Sequence, residues 1–154
     1  MSWLTTSQLL HLIKKYGDTA TRRAFIGVFA IDDLPQHISC LPVLMIINTH
    51  TKNLPGEHWK AVFISKEGFA EVFDSLALPI SSSLMNWLKR FSRKWITSHI
   101  SIQHPLSATC GAYVLYFILQ RLKHNSMNSL LKVFSSKLVL NDEKMIDFVY
   151  TLKH

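Results

Sequence analysis

Four side chains in this 154-residue sequence carry groups suited to acyl transfer: His58 in GEHW, Asp74 in VFDS, Gln103 in QHPL and Cys110 in TCGAY. A cysteine attacks a carbonyl as its thiolate, so it needs a nearby base or cation to hold it ionised. A histidine oriented by a carboxylate supplies both. At a helix N-terminus, beside an imidazolium, a thiol pKa falls from ~8.5 into the range ~3.5–7.5. A glutamine amide can donate to the oxyanion that develops as the thiolate adds, alongside the Cys110 backbone N–H. One such donor contributes about 3–4 kcal/mol in the transition state. Each residue type also has a purely structural use. A cysteine entering an apolar helix serves as a small core residue, an aspartate after a strand as a turn or cap, and a glutamine before a Pro-containing loop as a loop residue. Cys40 reads as a buried structural thiol. A zinc site built from Cys40, His58 and Cys110 lacks the close paired spacings such sites use.

The elements that must bring these groups together follow from periodicity. WKAVFIS (59–65) and FAEVFDS (69–75) read as two strands joined through Lys66-Glu67-Gly68, a hairpin with its glycine in the turn. That hairpin brings His58 and Asp74 to the same end of a sheet. FIGVFAID (25–32) and VLMIIN (43–48) are apolar runs of strand length, and ITSHISI (96–102) alternates as a strand does. TCGAYVLYFILQRLKH (109–124) is apolar nearly all round, as a buried central helix is, and Cys110 opens it. Residues 6–16 form an amphipathic helix stopped by Gly17, residues 81–94 a basic one capped by a serine among 81–83, and 127–138 and 142–153 two more, the last capped by Asn141 or Asp142. The expectation is one α+β domain over residues 1–154, with a mixed, mostly antiparallel sheet packed on helices around the cysteine-bearing one.

Lys and Arg number 17 against 10 Asp and Glu, a net charge of +7 with neutral histidines. The cations come in doublets, and the stretch 83–95 holds two of them. Leu84, Trp87, Leu88, Phe91 and Trp95 recur at helical spacing, leaving Lys89, Arg90, Arg93 and Lys94 outside the apolar stripe. That face suits sequence-independent contact with DNA phosphates, and equally a plain solvated surface. No apolar run approaches the ~20 residues needed to cross a bilayer. Two cysteines make no disulfide framework, and the order of charge and apolarity at the N-terminus is the reverse of a signal peptide's. An intracellular, soluble, reduced protein is expected. Walker, dinucleotide-binding, Cys-x-x-Cys and His-Glu-x-x-His patterns are absent, so no metal or organic cofactor is expected for the chemistry.

Taken in order, GVFAIDDLP (27–35), IINT (46–49), GEHWKAVFI (56–64), VFDSLA (72–77) and QHPLSATCGAYVLYF (103–117) resemble the adenovirus-type cysteine proteases (adenain) and, more distantly, the SUMO and ubiquitin-like protein-specific proteases of the same fold. The resemblance spans roughly residues 5–153. It implies a papain-like/adenain-like fold, with Cys110 as nucleophile, His58 as general base and later acid, Asp74 as the group that orients His58, and Gln103 with the Cys110 amide as oxyanion hole. It further implies that Trp59 and Gly111 line a narrow cleft admitting a small residue such as glycine beside the scissile bond. The function implied is a viral endopeptidase that cleaves capsid and core precursors during virion maturation, in the virion and host nucleus, as a monomer away from membranes. DNA or a non-covalent peptide is the implied activator. Adenain carries Glu where Asp74 stands, and its disulfide-tethered peptide has no matching cysteine here before Gln103. The alternatives are a deconjugating protease for SUMO or ubiquitin-like proteins, and an inactive basic DNA-binding virion protein.

Overall fold

The computed structural model describes residues 4–49 and 58–154. Gly56 and Glu57 of the GEHW motif lie outside the described residues. The chain begins with α1 (Thr6–Tyr16), closed at its start by a reciprocal Thr5–Gln8 capping box, and α2 (Thr19–Ala24), a short helix capped by Asp18. Sequence periodicity had no purchase on α2, which is only six residues long. Five strands follow: β1 (Phe25–Ala30), β2 (Val43–Asn48), β3 (Trp59–Ile64), β4 (Phe69–Phe73) and β5 (Lys94–Thr97), with α3 (Ser82–Phe91) between the last two. The C-terminal part is α4 (Cys110–Gln120), a 3-10 turn (Arg121–Lys123), α5 (Met127–Leu131) and α6 (Leu138–Lys153). No helix among the described residues is long and apolar enough to cross a membrane.

The strands lie in sequence order in one sheet, β1-β2-β3-β4-β5. The two central pairings are antiparallel and the two outer ones parallel, so the sheet is evenly mixed rather than mostly antiparallel. Helices cover both faces. Leu44, Ile46, Ala61, Phe63 and Phe73 join the cluster built on α1, α4, α5 and α6. Their alternating neighbours Val43, Met45, Ile47, Val62, Ile64 and Val72 join Leu84, Trp87 and Leu88 of α3. A strand buried on both sides reads as a continuous apolar run, which is why VLMII is apolar throughout.

The C-terminal half of the central helix α4 is held to β4 by two contacts one turn apart. Phe73 stacks on Phe117 with ring centroids 4.9 Å apart and planes within 5°, and such pairs contribute about 0.5–1.5 kcal/mol beyond area burial. One turn on, Arg121 grips Glu71, Nε to Oε1 at 2.5 Å and Nη2 to Oε2 at 3.2 Å. That bidentate pair fixes orientation as well as distance.

Several expected boundaries move, each for a visible reason. The basic helix stops at Phe91: the Ser92 hydroxyl donates to the Leu88 carbonyl at 2.7 Å, competing with the helix ladder. Arg93 N–H then donates to the Gly68 carbonyl at 2.8 Å, and pairing with β4 starts at Lys94. Trp95 and Lys94 therefore belong to a strand. Gly68 itself has φ +89°, the left-handed region its turn requires. The strand expected over 96–102 ends at Thr97, because the residues beyond turn toward Ser75. The helix expected over 127–138 is only five residues long. Asn141 draws Ser135 out of it, accepting from Ser135 N–H at 2.9 Å and donating to Ser135 carbonyl at 2.8 Å. The last helix starts at Leu138 after Lys137, so neither Asn141 nor Asp142 caps it. Cys40 is exposed, not buried; it precedes Leu41-Pro42 in a segment outside both sheet and helices.

Candidate active site

His58 immediately precedes β3 and Asp74 immediately follows β4. The ladder pairs Ala61 with Phe73. One residue further out, Lys60 faces Asp74, and His58 follows two residues on, on the same side of the strand. The carboxylate of Asp74 thus sits between two side chains of one strand. His58 Nε2 lies 2.6 Å from Asp74 Oδ1, and Lys60 Nζ lies 3.2 Å from Asp74 Oδ2. Asp74 also accepts backbone N–H groups, Leu76 on Oδ1 at 2.9 Å and Leu78 on Oδ2 at 3.0 Å. Lys60 completes its own shell on the carbonyls of Leu78 and Pro79, both at 3.2 Å.

This electrostatic arrangement fixes protonation. Burial is the largest influence on both groups, and alone it would neutralise each. For Asp74 it is outweighed by the His58 hydrogen bond and charge, then by Lys60 and the Leu76 amide, so its pKa lies below the usual carboxylate value. For His58 burial is outweighed by hydrogen bonds to Asp74 and Cys110 and by their charges, and the imidazole pKa is raised to about 9. With Nε2 on Asp74, Nδ1 is the nitrogen left for Cys110. Cys110 is the first residue of α4, with 2% of its surface exposed. Thr109 stands at the N-cap, yet its hydroxyl makes no bond to the helix end.

Gln103 is brought to the same end of the sheet. Ser75, directly after Asp74, accepts from both Ile102 N–H (2.8 Å) and Gln103 N–H (3.1 Å), and its hydroxyl donates to Gln103 Oε1 at 2.5 Å. Gln103 Nε2 donates to the carbonyl and hydroxyl of Ser107, at 3.0 and 3.2 Å. The loop between Gln103 and Cys110 is therefore closed on itself. Trp59 and Gly111 are buried in the α4 side of the core, Trp59 with 4% exposed. The Trp59 indole N–H is buried and has no hydrogen-bond partner among the described residues.

Lys89, Arg90, Arg93 and Lys94 are all exposed, but they do not form one helical face. Lys89 and Arg90 lie in the last turn of α3, Arg93 lies in the turn with its guanidinium 5.8 Å from the Phe69 ring centroid, and Lys94 opens β5. Among the described residues no cluster of three or more His, Cys, Asp or Glu is arranged to hold a metal.

Sequence reasoning missed Lys60. The signal was present, since His-x-Lys places both side chains on one face of a strand and the hairpin register brings Asp74 opposite. It also missed the roles of Asn141 and Asp142, for which no local signal exists.

No protein-family model matches the chain. In sequence it is similar to the cysteine protease of African swine fever virus (a tick isolate from Malawi), 27% identical over 115 residues that cover 67% of this chain and 40% of that protein. The SUMO-1 cysteine protease of a pig isolate from Kenya is 26% identical, with the same coverage. The match thus spans 40% of the length of these curated relatives. Among solved structures, the crystal structure of that virus's pS273R protease superposes with a TM-score of 0.67 at 16% identity, covering 94% of this chain and 66% of that one. The Chlamydia trachomatis effector Cdu1, solved bound to ubiquitin, gives 0.54 at 18% identity, covering 99% and 80%. The chain has the α+β fold of these proteins, with its cysteine at the head of a buried helix.

Proposed function

We propose that this chain is a cysteine endopeptidase domain in which Cys110, His58 and Asp74 act as nucleophile, base and orienting acid. The observation that carries the reading is one imidazole hydrogen-bonded on one side to a buried carboxylate at 2.6 Å and on the other to a cysteine at a helix start. An inert core thiol has no use for such a neighbour. The similarity to viral cysteine proteases supports the same reading.

In the resting pair the thiolate faces the imidazolium. The sulfur attacks the scissile carbonyl, and the oxyanion is held by backbone N–H at the start of α4 and by the Gln103 amide, which exchanges its Ser107 partners for the oxyanion. His58 gives its proton to the leaving amine as the C–N bond breaks. A water then attacks the thioester while His58 takes its proton, and the acid product leaves with Cys110 again paired to His58. Substrates of this domain carry a small residue such as glycine beside the scissile bond, which a narrow cleft walled by Trp59 at the start of β3 and Gly111 at the head of α4 would require. We assign it a maturation role on viral capsid and core precursors, in the adenain manner. The exposed cations Lys89, Arg90, Arg93 and Lys94 give it salt-sensitive affinity for DNA.

A second reading, removal of SUMO or ubiquitin-like modifiers, is favoured by the SUMO-1 cysteine protease among the relatives and by the ubiquitin-bound fold neighbour. A digest with wild type and Cys110→Ala separates the readings. Cleavage of glycine-containing peptides and precursor-like proteins, without release from SUMO or ubiquitin fusions, supports the endopeptidase. The opposite pattern supports deconjugation. Absence of both activities, with no Cys110 labelling by a thiol-directed electrophile at pH 6–7, refutes the protease reading.

A further inference from the structure

Two adjacent side chains of α6, Asn141 and Asp142, are buried, with 2% and 7% of their surface exposed. A helix gains nothing from burying polar residues one turn inside its start, and neither caps it. Their hydrogen bonds all reach outside the helix. Asp142 Oδ2 accepts the His104 N–H at 3.3 Å. Its Oδ1 accepts the Thr109 hydroxyl at 3.1 Å and the Tyr113 hydroxyl at 2.7 Å. Asn141 Nδ2 donates to the Ile102 carbonyl at 3.0 Å as well as to Ser135.

The partners form a pattern around Gln103 and Cys110. Ile102 and His104 are the two neighbours of Gln103, and Thr109 is the residue before Cys110. The hydroxyl of Tyr113, one turn into α4, also lies 3.0 Å from the Ile102 carbonyl, so its one proton is shared between that carbonyl and Asp142. We propose that Asn141 and Asp142 are positioning residues: together they clamp the backbone on both sides of Gln103 and the residue leading into Cys110, and so set the amide donor against the nucleophile.

The chemistry of the clamp explains the residue types. All the donors to Asp142 are neutral, one amide and two hydroxyls, so what the site uses is the two-ended shape of a carboxylate. One oxygen serves each end of the 104–109 loop. Thr109 would ordinarily turn its hydroxyl to the amides of its own helix. Here it is given to Asp142, which ties the start of α4 to α6. The Ile102 carbonyl needs a donor at a point where β5 has already ended, and Asn141 supplies one while its own oxygen holds Ser135.

The catalytic consequence rests on the protease reading above; the clamp itself does not. The test uses the full chain with Asp142→Ala and Tyr113→Phe. It measures peptide turnover, the rate of Cys110 alkylation by iodoacetamide, and amide hydrogen exchange over residues 102–109. Alkylation needs the thiolate but no oxyanion hole, so a misplaced loop lowers turnover selectively. Asp142→Ala is expected to lower kcat about 10–100-fold while KM and the alkylation rate stay within about twofold, as displacement of an oxyanion donor implies. Tyr113→Phe keeps the ring beside Phe134 and is expected to lower kcat about 2–10-fold with alkylation unchanged, as loss of one donor shared between Asp142 and the Ile102 carbonyl implies. Exchange over 102–109 is faster in both. Unchanged turnover in folded Asp142→Ala, or turnover and alkylation falling in parallel, overturns the proposal. Should Asp142→Ala fail to fold, the same readouts on Tyr113→Phe decide. Should wild type show no turnover, the protease reading falls and the clamp is judged on exchange alone: faster exchange upholds it, unchanged exchange overturns it.

Discussion

The site is assembled from two halves held by different means. His58, Lys60 and Asp74 stand at the end of one antiparallel hairpin, where the ladder between β3 and β4 fixes which residues face each other. Gln103 and Cys110 stand on a loop and a helix start, tied by side chains to Ser75 on one side and to Asp142 on the other. Backbone pairing sets the first half to within a fraction of a residue spacing, because a one-residue slip would turn every side chain to the opposite face. The second half has no ladder and relies on single hydrogen bonds, each contributing about 0.5–1.5 kcal/mol net. The charged acid–base pair lies in the half that is hard to displace. The amide donor that the proposed mechanism turns to the oxyanion lies in the half that can adjust.

Removing the reacting groups themselves is expected to have the largest effects. Cys110→Ala, which leaves both halves in place, removes the nucleophile and abolishes turnover, a loss of about 10⁵-fold or more, while circular dichroism and melting stay near wild type. Residual peptidase activity in that variant, free of contaminant, would sink the assignment. His58→Ala costs about 10³–10⁴-fold, the usual scale of a lost general base. It also removes electrophile labelling of Cys110 at pH 6–7; labelling at the wild-type rate would mean that the imidazole does not hold the sulfur ionised. Asp74→Asn is milder, about 10–10²-fold less damaging than His58→Ala, because the imidazole keeps a hydrogen-bond partner but loses a charge. Measured damage exceeding that of His58→Ala would reverse the roles.

The pH profile sharpens the comparison. The imidazolium has its pKa raised to about 9, so the ion pair is intact through neutral pH and kcat/KM falls as pH rises through about 9. The same shift stabilises the folded chain. Its contribution is complete below the ordinary histidine value of 6.5 and is lost between there and about 9. Asp74 works in the opposite sense: its depressed pKa contributes above the ordinary carboxylate value and is lost as pH falls through the folded value. Thermal melts of wild type and His58→Ala between pH 6 and 10 should converge as pH rises; parallel curves would remove the claim.

The smallest of these effects belongs to Lys60→Met. Asp74 retains His58 and two amides, so turnover falls less than about tenfold, while loss of the donor to the carbonyls of Leu78 and Pro79, both exposed residues, costs about 0.5–1.5 kcal/mol of stability. The basic limb moves upward, since a cation 3.2 Å from Asp74 no longer offsets the carboxylate that stabilises the imidazolium. A downward shift would show that Lys60 does not act on His58 through the Asp74 charge.

The sequence alone determined what depends on short-range order: the alternation in β3 and β4, the glycine turn at 68 and the uniformly apolar helix behind Cys110. His58 and Asp74 were legible because one short turn joins their strands, so their meeting is a matter of counting along the chain. Lys60 obeyed the same arithmetic and went unread because a cation at an apolar strand position announces nothing until its register partner is known. Only the tertiary structure decided where α3 yields to β5, because Ser92 and the pairing with β4 compete there with helix propensity. It alone decided that Asn141 and Asp142 face the 102–109 loop rather than cap α6. Those contacts span 33 to 39 residues of chain, and no local preference encodes which distant backbone a buried polar side chain will satisfy.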